Sequence, residues 1–213
     1  MIATAEGLDA YRAMVEQERR EERERLQASG EWDAHFLQLV RSAGVVPRYE
    51  LAEHPLAGQC VEDVMLGRNI YICGGVGTGK THLASAIVRG LVDVGVRVRF
   101  TSMARVLDAI KESFGGGRNP LPEYQHVRVL VLDDLGKETP TAFALERLFV
   151  LIDERNAQML PTIVTTQYAP SRLIARLASH GDVETATAIV SRLRQECRKV
   201  ELRGGDRRRK QHN

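Results

Sequence analysis

The sequence predicts an α/β fold: a parallel β-sheet covered by helices on both faces. Three observations predict it. From about residue 60 onward, strand-like and helix-like segments alternate, and alternation of that kind builds a parallel sheet with helices on its faces. The run Asn69-Ile70-Tyr71-Ile72-Cys73 is apolar and β-rich, and a Gly-rich loop, Gly74-Gly75-Val76-Gly77-Thr78-Gly79-Lys80-Thr81, separates it from a helical pattern over His82 to Val88. The run Val127 to Leu132 is rich in β-branched residues and Leu and ends in Asp133-Asp134. A run of that composition suits a central parallel strand, with the acids at the sheet edge where ligands bind.

The elements follow in order. Residues 8–28 read as one helix, because Glu and Arg dominate Glu16 to Arg25 and opposite charges recur at i,i+3 and i,i+4. Its apolar face is thin: Leu8, Tyr11, Met14 or Val15, then Leu26. Such a helix buries little on its own chain and suits docking to a partner. Ser29-Gly30 ends it, a second amphipathic stretch runs from Trp32 to Val40, and Gly44-Val45-Val46-Pro47 breaks the chain again. A helix over 80–94 stops at Gly95, and Val96 to Phe100 alternates apolar and basic residues as a half-buried strand does. A helix over 103–113 stops at Gly115-Gly116-Gly117, and the stretch to Tyr124, with two prolines, reads as a loop. After the acidic strand come a helix near 140–158, a buried strand at Thr162 to Thr166, helices near 170–178 and 183–196, and a strand near 198–203. The expected organisation is therefore a helical extension over 1–44, one domain over 45–205 and a basic tail over 206–213.

Bulk composition excludes several classes. A chain of 213 residues with 43% apolar residues suits one domain and a short appendage. The net charge of +2 carries no strong global field. Cys60, Cys73 and Cys197 lie far apart without a C-x-x-C pair, which argues against a zinc site or a disulfide scaffold and fits a reducing cytosol. There is no apolar run long enough for a membrane span and no signal-peptide pattern, so a cytoplasmic protein is expected.

The chemistry starts at Gly74 to Thr81, which fits G-x-x-x-x-G-K-[ST], the phosphate-binding P-loop, between a strand and a helix. Glycines let successive N–H groups turn towards a phosphate, and the helix presents its positive end to the same charge. Gly74, Gly75, Val76, Gly77, Thr78, Gly79, Lys80, Thr81 and the following His82 are the expected nucleotide-binding residues. Lys80 can reach the β- and γ-phosphates of ATP, and Thr81 can ligate Mg²⁺. Asp133 is placed to hold the same Mg²⁺ through water, and Asp134 to orient or deprotonate an attacking water. That second acid points to an ATPase. Thr165-Thr166-Gln167 ends another buried strand, where a polar side chain can touch the γ-phosphate or the water. In Ile189-Val190-Ser191-Arg192-Leu193-Arg194 the sharpest reading makes Arg192 an arginine finger for a neighbouring subunit's γ-phosphate.

These pieces, in this order and spacing, resemble the AAA+ ATPases of the DnaC/DnaI helicase-loader group and their transposon relative IstB. The matching residues cover most of 45–208: Val46-Pro47-Arg48-Tyr49, Gly79 to Ala84 with its His82, Asp133-Asp134-Leu135-Gly136, Ile152-Asp153-Glu154-Arg155, Pro161 to Gln167, Ser191-Arg192-Leu193 and Gly205-Asp206-Arg207-Arg208. The resemblance implies an AAA+ three-layer αβα core around a central parallel five-stranded sheet. It implies that the P-loop strand is central, that a separate lid domain is lacking, and that the site is completed across subunits of an oligomer or spiral. It implies Thr166 or Gln167 as the γ-phosphate sensor, Arg192 as the finger, single-stranded DNA in the assembly, and an N-terminal segment gripping the replicative DNA helicase, here residues 8–28. Arg105, Lys111, Arg118 and the tail Arg207 to Lys210 are the expected DNA contacts, for weak, salt-sensitive, sequence-independent binding. The leading expectation is an ATPase that loads or remodels a replicative helicase on single-stranded DNA during replication initiation, slow until it self-assembles. The alternatives are a transposition helper of the IstB type and a slow ATP-dependent assembly switch.

Overall fold

The computed structural model describes residues 17, 20–22, 24–179 and 182–204. Five strands form one sheet in the order β2-β3-β4-β1-β5. They are β1 (Asn69–Gly74), β2 (Val98–Ser102), β3 (Val129–Asp133), β4 (Thr162–Thr166) and β5 (Cys197–Leu202). Every pairing is parallel. β1, which carries the P-loop, is interior between β4 and β5, with β4 in the middle of the sheet.

The two-residue period of the strands sorts the core into two layers. Ile70, Ile72, Val129, Val131 and Ile163 face one way. They meet Val40 of α2 (Trp32–Ser42), Cys60 and Val64 of α3 (Ala57–Met65), and Leu83, Ile87 and Leu91 of α4 (Lys80–Asp93). Tyr71, Cys73, Leu130, Leu132 and Val164 face the other way. That face is covered by α5 (Met103–Ser113), α6 (Leu121–His126), α7 (Ala142–Ala157), α8 (Pro170–Leu177) and α9 (Val183–Arg194). Ahead of α2, the described residues 17, 20–22 and 24–29 are helical and form α1; the rest of the expected helix over 8–28 lies outside the described residues. So does the tail over 206–213.

Three details depart from the expected elements. β2 spans Val98–Ser102, two residues later than the alternation at 96–100. Gly95 has φ 78° and closes α4, with its N–H on Val92 O (2.9 Å) and the N–H of Val96 on Leu91 O (2.8 Å). Val96 is thus used by the helix end, and the strand starts only where Val98 meets Val129. Within the stretch read as a loop, residues Leu121–His126 are helical: Asn119 Oδ1 accepts from Leu121 N at 3.0 Å and Pro122 sits in the first turn. A helix over Ala57–Met65 also precedes β1. Its buried Asp63 is paired with Arg68 (2.8 Å) and with Arg198 of β5. Burial alone would raise the Asp63 carboxyl, but the bonds from the two arginines hold it below its ordinary value.

Candidate functional site

The C-terminal ends of β1, β3 and β4 meet at one edge of the sheet, and a cleft of about 480 Å³ opens there. Its lining includes Val76, Gly77, Gly79, Lys80, Thr81, His82, Asp134 and Gln167. The structure therefore brings the P-loop, the acidic strand end and the β4 terminus together from three separate parts of the chain.

The loop geometry follows from its glycines. A Cβ on Gly74 would stand 2.3 Å from the backbone oxygen of Leu202, so only glycine lets β1 enter the loop beside β5. Gly79 has φ 97° and begins α4 without a side-chain cap. The first-turn N–H groups of α4 are left directed at the cleft, as an anion site requires. Lys80 is buried, and its Nζ donates to Gly74 O (3.0 Å) and Gly75 O (2.7 Å), which folds the cation over the loop. Thr78 Oγ1 donates to Gly75 O at 2.9 Å and stiffens the same turn.

The acids are held by hydroxyls. Thr81 Oγ1 lies 3.1 Å from both Asp133 carboxylate oxygens, and Thr165 Oγ1 donates to Asp133 Oδ1 at 2.6 Å. Thr165 Oγ1 also accepts from the backbone N–H of Asp134 at 2.8 Å. One buried hydroxyl thus orients both acids. Asp134 adopts φ 56°, a conformation that asparagine and aspartate tolerate better than other side chains, and its Oδ2 is paired with Lys137 Nζ at 2.7 Å. Burial pushes the Asp133 carboxyl above the usual range; the bond from Thr165 pulls it back, and the neighbouring Asp134 charge pushes it up again.

That shift carries a stability consequence. The folded chain holds a proton on Asp133 more readily than the unfolded chain does. The group therefore favours folding below the unfolded value and loses that contribution as pH rises through the folded one. Asp133→Asn removes a buried charge at neutral pH while keeping an acceptor for Thr165. Its nucleotide-free melting temperature is expected to rise by about 2–4 °C for each ~1 kcal/mol relieved, and differential scanning fluorimetry checks this.

Two predicted positions sort differently. Thr166 is fully buried and donates to Leu135 O at 2.7 Å, whereas Gln167 lines the cleft with its Nε2 on Tyr168 Oη at 2.9 Å. Of the two sensor candidates, only Gln167 faces the cleft. His82 also lines the cleft, but its Nε2 lies 2.9 Å from Glu53 O; a carbonyl only accepts, so this nitrogen donates and ties the 47–53 segment to α4. That segment begins with a short 3₁₀ turn, Pro47–Tyr49, and adds Arg48 and Tyr49 to the cleft wall. The Tyr49 ring stands edge-on to His82 at 6.3 Å.

Arg192 is not in this cleft. Its carbonyl accepts from Asn69 Nδ2 at 3.3 Å, at the first residue of β1, while the P-loop leaves the last residue of the same strand. About 17 Å of strand separates the two ends. The Arg192 guanidinium lies 5.1 Å from the Phe149 ring and 2.6 Å from Asp153 Oδ1. The expected DNA contacts Arg105, Lys111 and Arg118 are exposed on α5 and the loop after it.

Sequence reasoning assigned no site role to Lys137, Arg48 or Tyr49, and it named Thr165 only within the 165–167 piece, not as the hydroxyl that holds both acids. For Thr165 a signal existed: a hydroxyl in a wholly buried strand needs a partner, and two acids ended the neighbouring strand. Lys137 had no such signal, since a lysine in a turn is ordinarily solvated.

Comparison with known proteins agrees with this geometry. The model of the family described as IstB-like ATP binding protein matches residues 59–213. A Mycobacterium tuberculosis protein named for ATP binding and for its place in an insertion sequence is 34% identical over 110 residues, 49% of this chain and 43% of that one. The replicative helicase loader DnaC of Escherichia coli K12 is 30% identical over 97 residues, 44% of this chain and 40% of that one. An ATP-binding protein of insertion sequence IS21 from Pseudomonas aeruginosa is 26% identical over 148 residues, 64% of this chain and 51% of that one. The chain thus spans about half the length of these relatives. Among solved structures, a DnaC helicase loader superposes with a TM-score of 0.61 at 25% identity, over 74% of this chain and 100% of that one. DnaA bound to AMPPCP, from Aquifex aeolicus, superposes with a TM-score of 0.59 at 24% identity, over 77% of this chain and 53% of that one, and shows the shared AAA+ fold. Among the described residues, no helix is long and apolar enough to cross a membrane.

Proposed function

The chain belongs to the IstB-like ATP-binding protein family, and on that premise we propose that it is an AAA+ ATPase that self-assembles and loads or remodels a replicative DNA helicase on single-stranded DNA. One observation carries the ATPase reading: the Thr81 hydroxyl and Asp133 carboxylate stand 3.1 Å apart beside Lys80 and an uncapped helix N-terminus. A hydroxyl and a carboxylate are hard oxygen donors, and Mg²⁺ is ordinarily held by one or two carboxylates together with substrate phosphates. The residues therefore fit Mg²⁺·ATP, with Thr81 as the ligand and Asp133 holding the metal through water. When bound, the metal neutralises charge on the β- and γ-phosphates.

The chain's own residues do the rest. The P-loop N–H groups and Lys80 bind the phosphates. Asp134, held by Thr165 and Lys137, orients the water and takes its proton; Gln167 contacts the γ-phosphate. Arg48 and Tyr49 complete the cleft wall beside His82. Arg192 serves the cleft of a neighbouring copy, since its own lies at the opposite end of β1. Arg192→Ala is expected to bind ATP with nearly unchanged affinity and to lose hydrolysis by about 10³-fold or more. Nucleotide titration beside steady-state phosphate release checks this, and normal turnover would remove Arg192 from the mechanism.

The loading reading rests on DnaC among the relatives and solved structures. Residues 8–28 are the proposed grip on the helicase, and Arg105, Lys111, Arg118 and Arg207 to Lys210 the DNA contacts. A second reading, a helper ATPase of an insertion sequence, is favoured by the family and by the Mycobacterium tuberculosis and Pseudomonas aeruginosa relatives. Purified helicase of the same cell and purified transposase of the neighbouring gene separate the two. Under the loading reading, Mg²⁺·ATP and this protein increase helicase bound to a single-stranded circle, and deletion of residues 1–30 removes the increase. Transposase stimulation without helicase loading selects the second reading.

A further inference from the structure

The surroundings of Arg192 go beyond its assignment as a finger. The guanidinium meets two residues of α7 that are four positions apart, Phe149 and Asp153, and such residues share one helix face. The ring faces the guanidinium at 5.1 Å, and Asp153 Oδ1 takes the Nη2 donor at 2.6 Å. The backbone is fixed as well. Asn69 Nδ2 donates to the carbonyls of Arg192 and Gln195 at 3.3 and 3.1 Å, and Asn69 Oδ1 accepts from Thr162 N at 2.8 Å. The end of α9 is thereby tied to the starts of β1 and β4.

This contact is poorly suited to stabilising the fold. The side chains of Arg192 and Asp153 retain 29% and 47% of their exposure, and ion pairs this wet contribute little. What the contact does is restrict a long side chain to one direction. An arginine loses much rotamer freedom when it docks on a phosphate. A guanidinium already laid on a ring and held at one donor loses that freedom before subunits meet.

We propose that Asp153, with Phe149 beneath the guanidinium, is a positioning residue that presets Arg192 for a nucleotide bound to a second copy of this chain. This rests on the reading of Arg192 as a finger. Asp153 acts only through Arg192: it touches neither its own cleft nor the nucleotide. Its effect therefore belongs to the subunit that donates Arg192, not to the subunit that holds ATP.

Mixed assemblies of full-length chains test that assignment. Lys80→Ala subunits donate Arg192 but bind no nucleotide tightly; Arg192→Ala subunits bind ATP but donate no finger. Their mixture, with Mg²⁺·ATP and single-stranded DNA, is expected to hydrolyse faster than either alone. Adding Asp153→Ala to the Lys80→Ala chain lowers that gain by at least about tenfold, the scale of a misplaced catalytic group. Asp153→Asn in the same chain does likewise, without the space left by alanine. Adding Asp153→Ala to the Arg192→Ala chain leaves the gain unchanged. Thermal unfolding of each variant within a few degrees of the parent shows that folding is not the cause. Equal gains wherever Asp153 is replaced, or a loss that follows the ATP-holding chain, overturns the positioning role while leaving the finger intact. Absence of any gain in the reference mixture, where wild type hydrolyses, overturns the finger reading itself and the proposal with it.

Discussion

Lys80→Ala is expected to abolish tight ATP binding while leaving the fold in place. Lys80 is a cation 7% exposed within the phosphate loop, and its Nζ already donates to two loop carbonyls. A bound triphosphate offers that nitrogen charged acceptors in place of neutral ones. Hydrogen bonds between charged groups contribute about 1.5–3 kcal/mol each, so losing contacts to two phosphates lowers affinity by about 100-fold or more. The nucleotide-free protein is expected to keep its sheet, because the parallel pairing of β1 with β4 and β5 does not involve the Lys80 side chain. Calorimetric titration with ATP and Mg²⁺ measures the affinity directly. The melting temperature supplies the control: ATP raises it in the parent by linkage, and this rise is lost in the variant. An unchanged rise would mean that the phosphates bind elsewhere.

Arg155→Met is expected to cost at least about 3 kcal/mol of stability. Arg155 is fully buried on α7, and its hydrogen-bond partners among the described residues are carbonyls and one hydroxyl. Its Nε donates to Thr162 Oγ1 at 2.9 Å. Its Nη1 donates to the carbonyls of Tyr124, Gln125 and Val127 at 2.9, 3.1 and 2.8 Å, and its Nη2 to Pro161 O at 2.6 Å. Burial pushes the guanidinium down to about 9, still above neutral pH, so it is charged when it donates. Methionine fills part of the volume and leaves four carbonyls and a hydroxyl without their donors. Arg155→Lys also destabilises, because one ammonium cannot reproduce a planar fork. At about 2–4 °C per kcal/mol, the melting temperature falls by roughly 6–12 °C. The consequence reaches the cleft. Arg155 ties the entries to β3 and β4, whose far ends carry Asp133 and Thr165, so residual activity is expected to fall faster than the folded fraction. Urea titration followed by phosphate release at matched folded fraction separates the two effects.

The extent to which this site was legible in the sequence follows the range of the contacts involved. Residues 74–81 act within one turn of chain, so their spacing states their geometry, and the strand and helix on either side follow from local periodicity. The acids Asp133-Asp134 were legible because a strand of known polarity delivers its last residues to the ligand edge. The choice between Thr166 and Gln167 was not: adjacent residues on a strand face opposite ways, and only the packing of Thr166 against Leu135 O decides which one is buried. The start of β2 was misplaced for a similar reason, since an alternating pattern does not reveal that Val96 closes the preceding helix.

The sequence by itself determined that this chain carries a phosphate loop on a strand, a pair of acids on a second strand and a polar terminus on a third, all within one alternating α/β order. Those statements depend on neighbours in the chain, whose spacing is written in the residues. Only the tertiary structure decided that Thr165 serves both acids from 31 residues or more away, that Arg155 is a buried clamp and not a surface charge, and that Arg192 stands at the opposite end of β1 held by Asp153. Each of those joins segments distant in sequence, and a side chain's partner there is set by which surfaces the sheet order and the helix packing bring into contact.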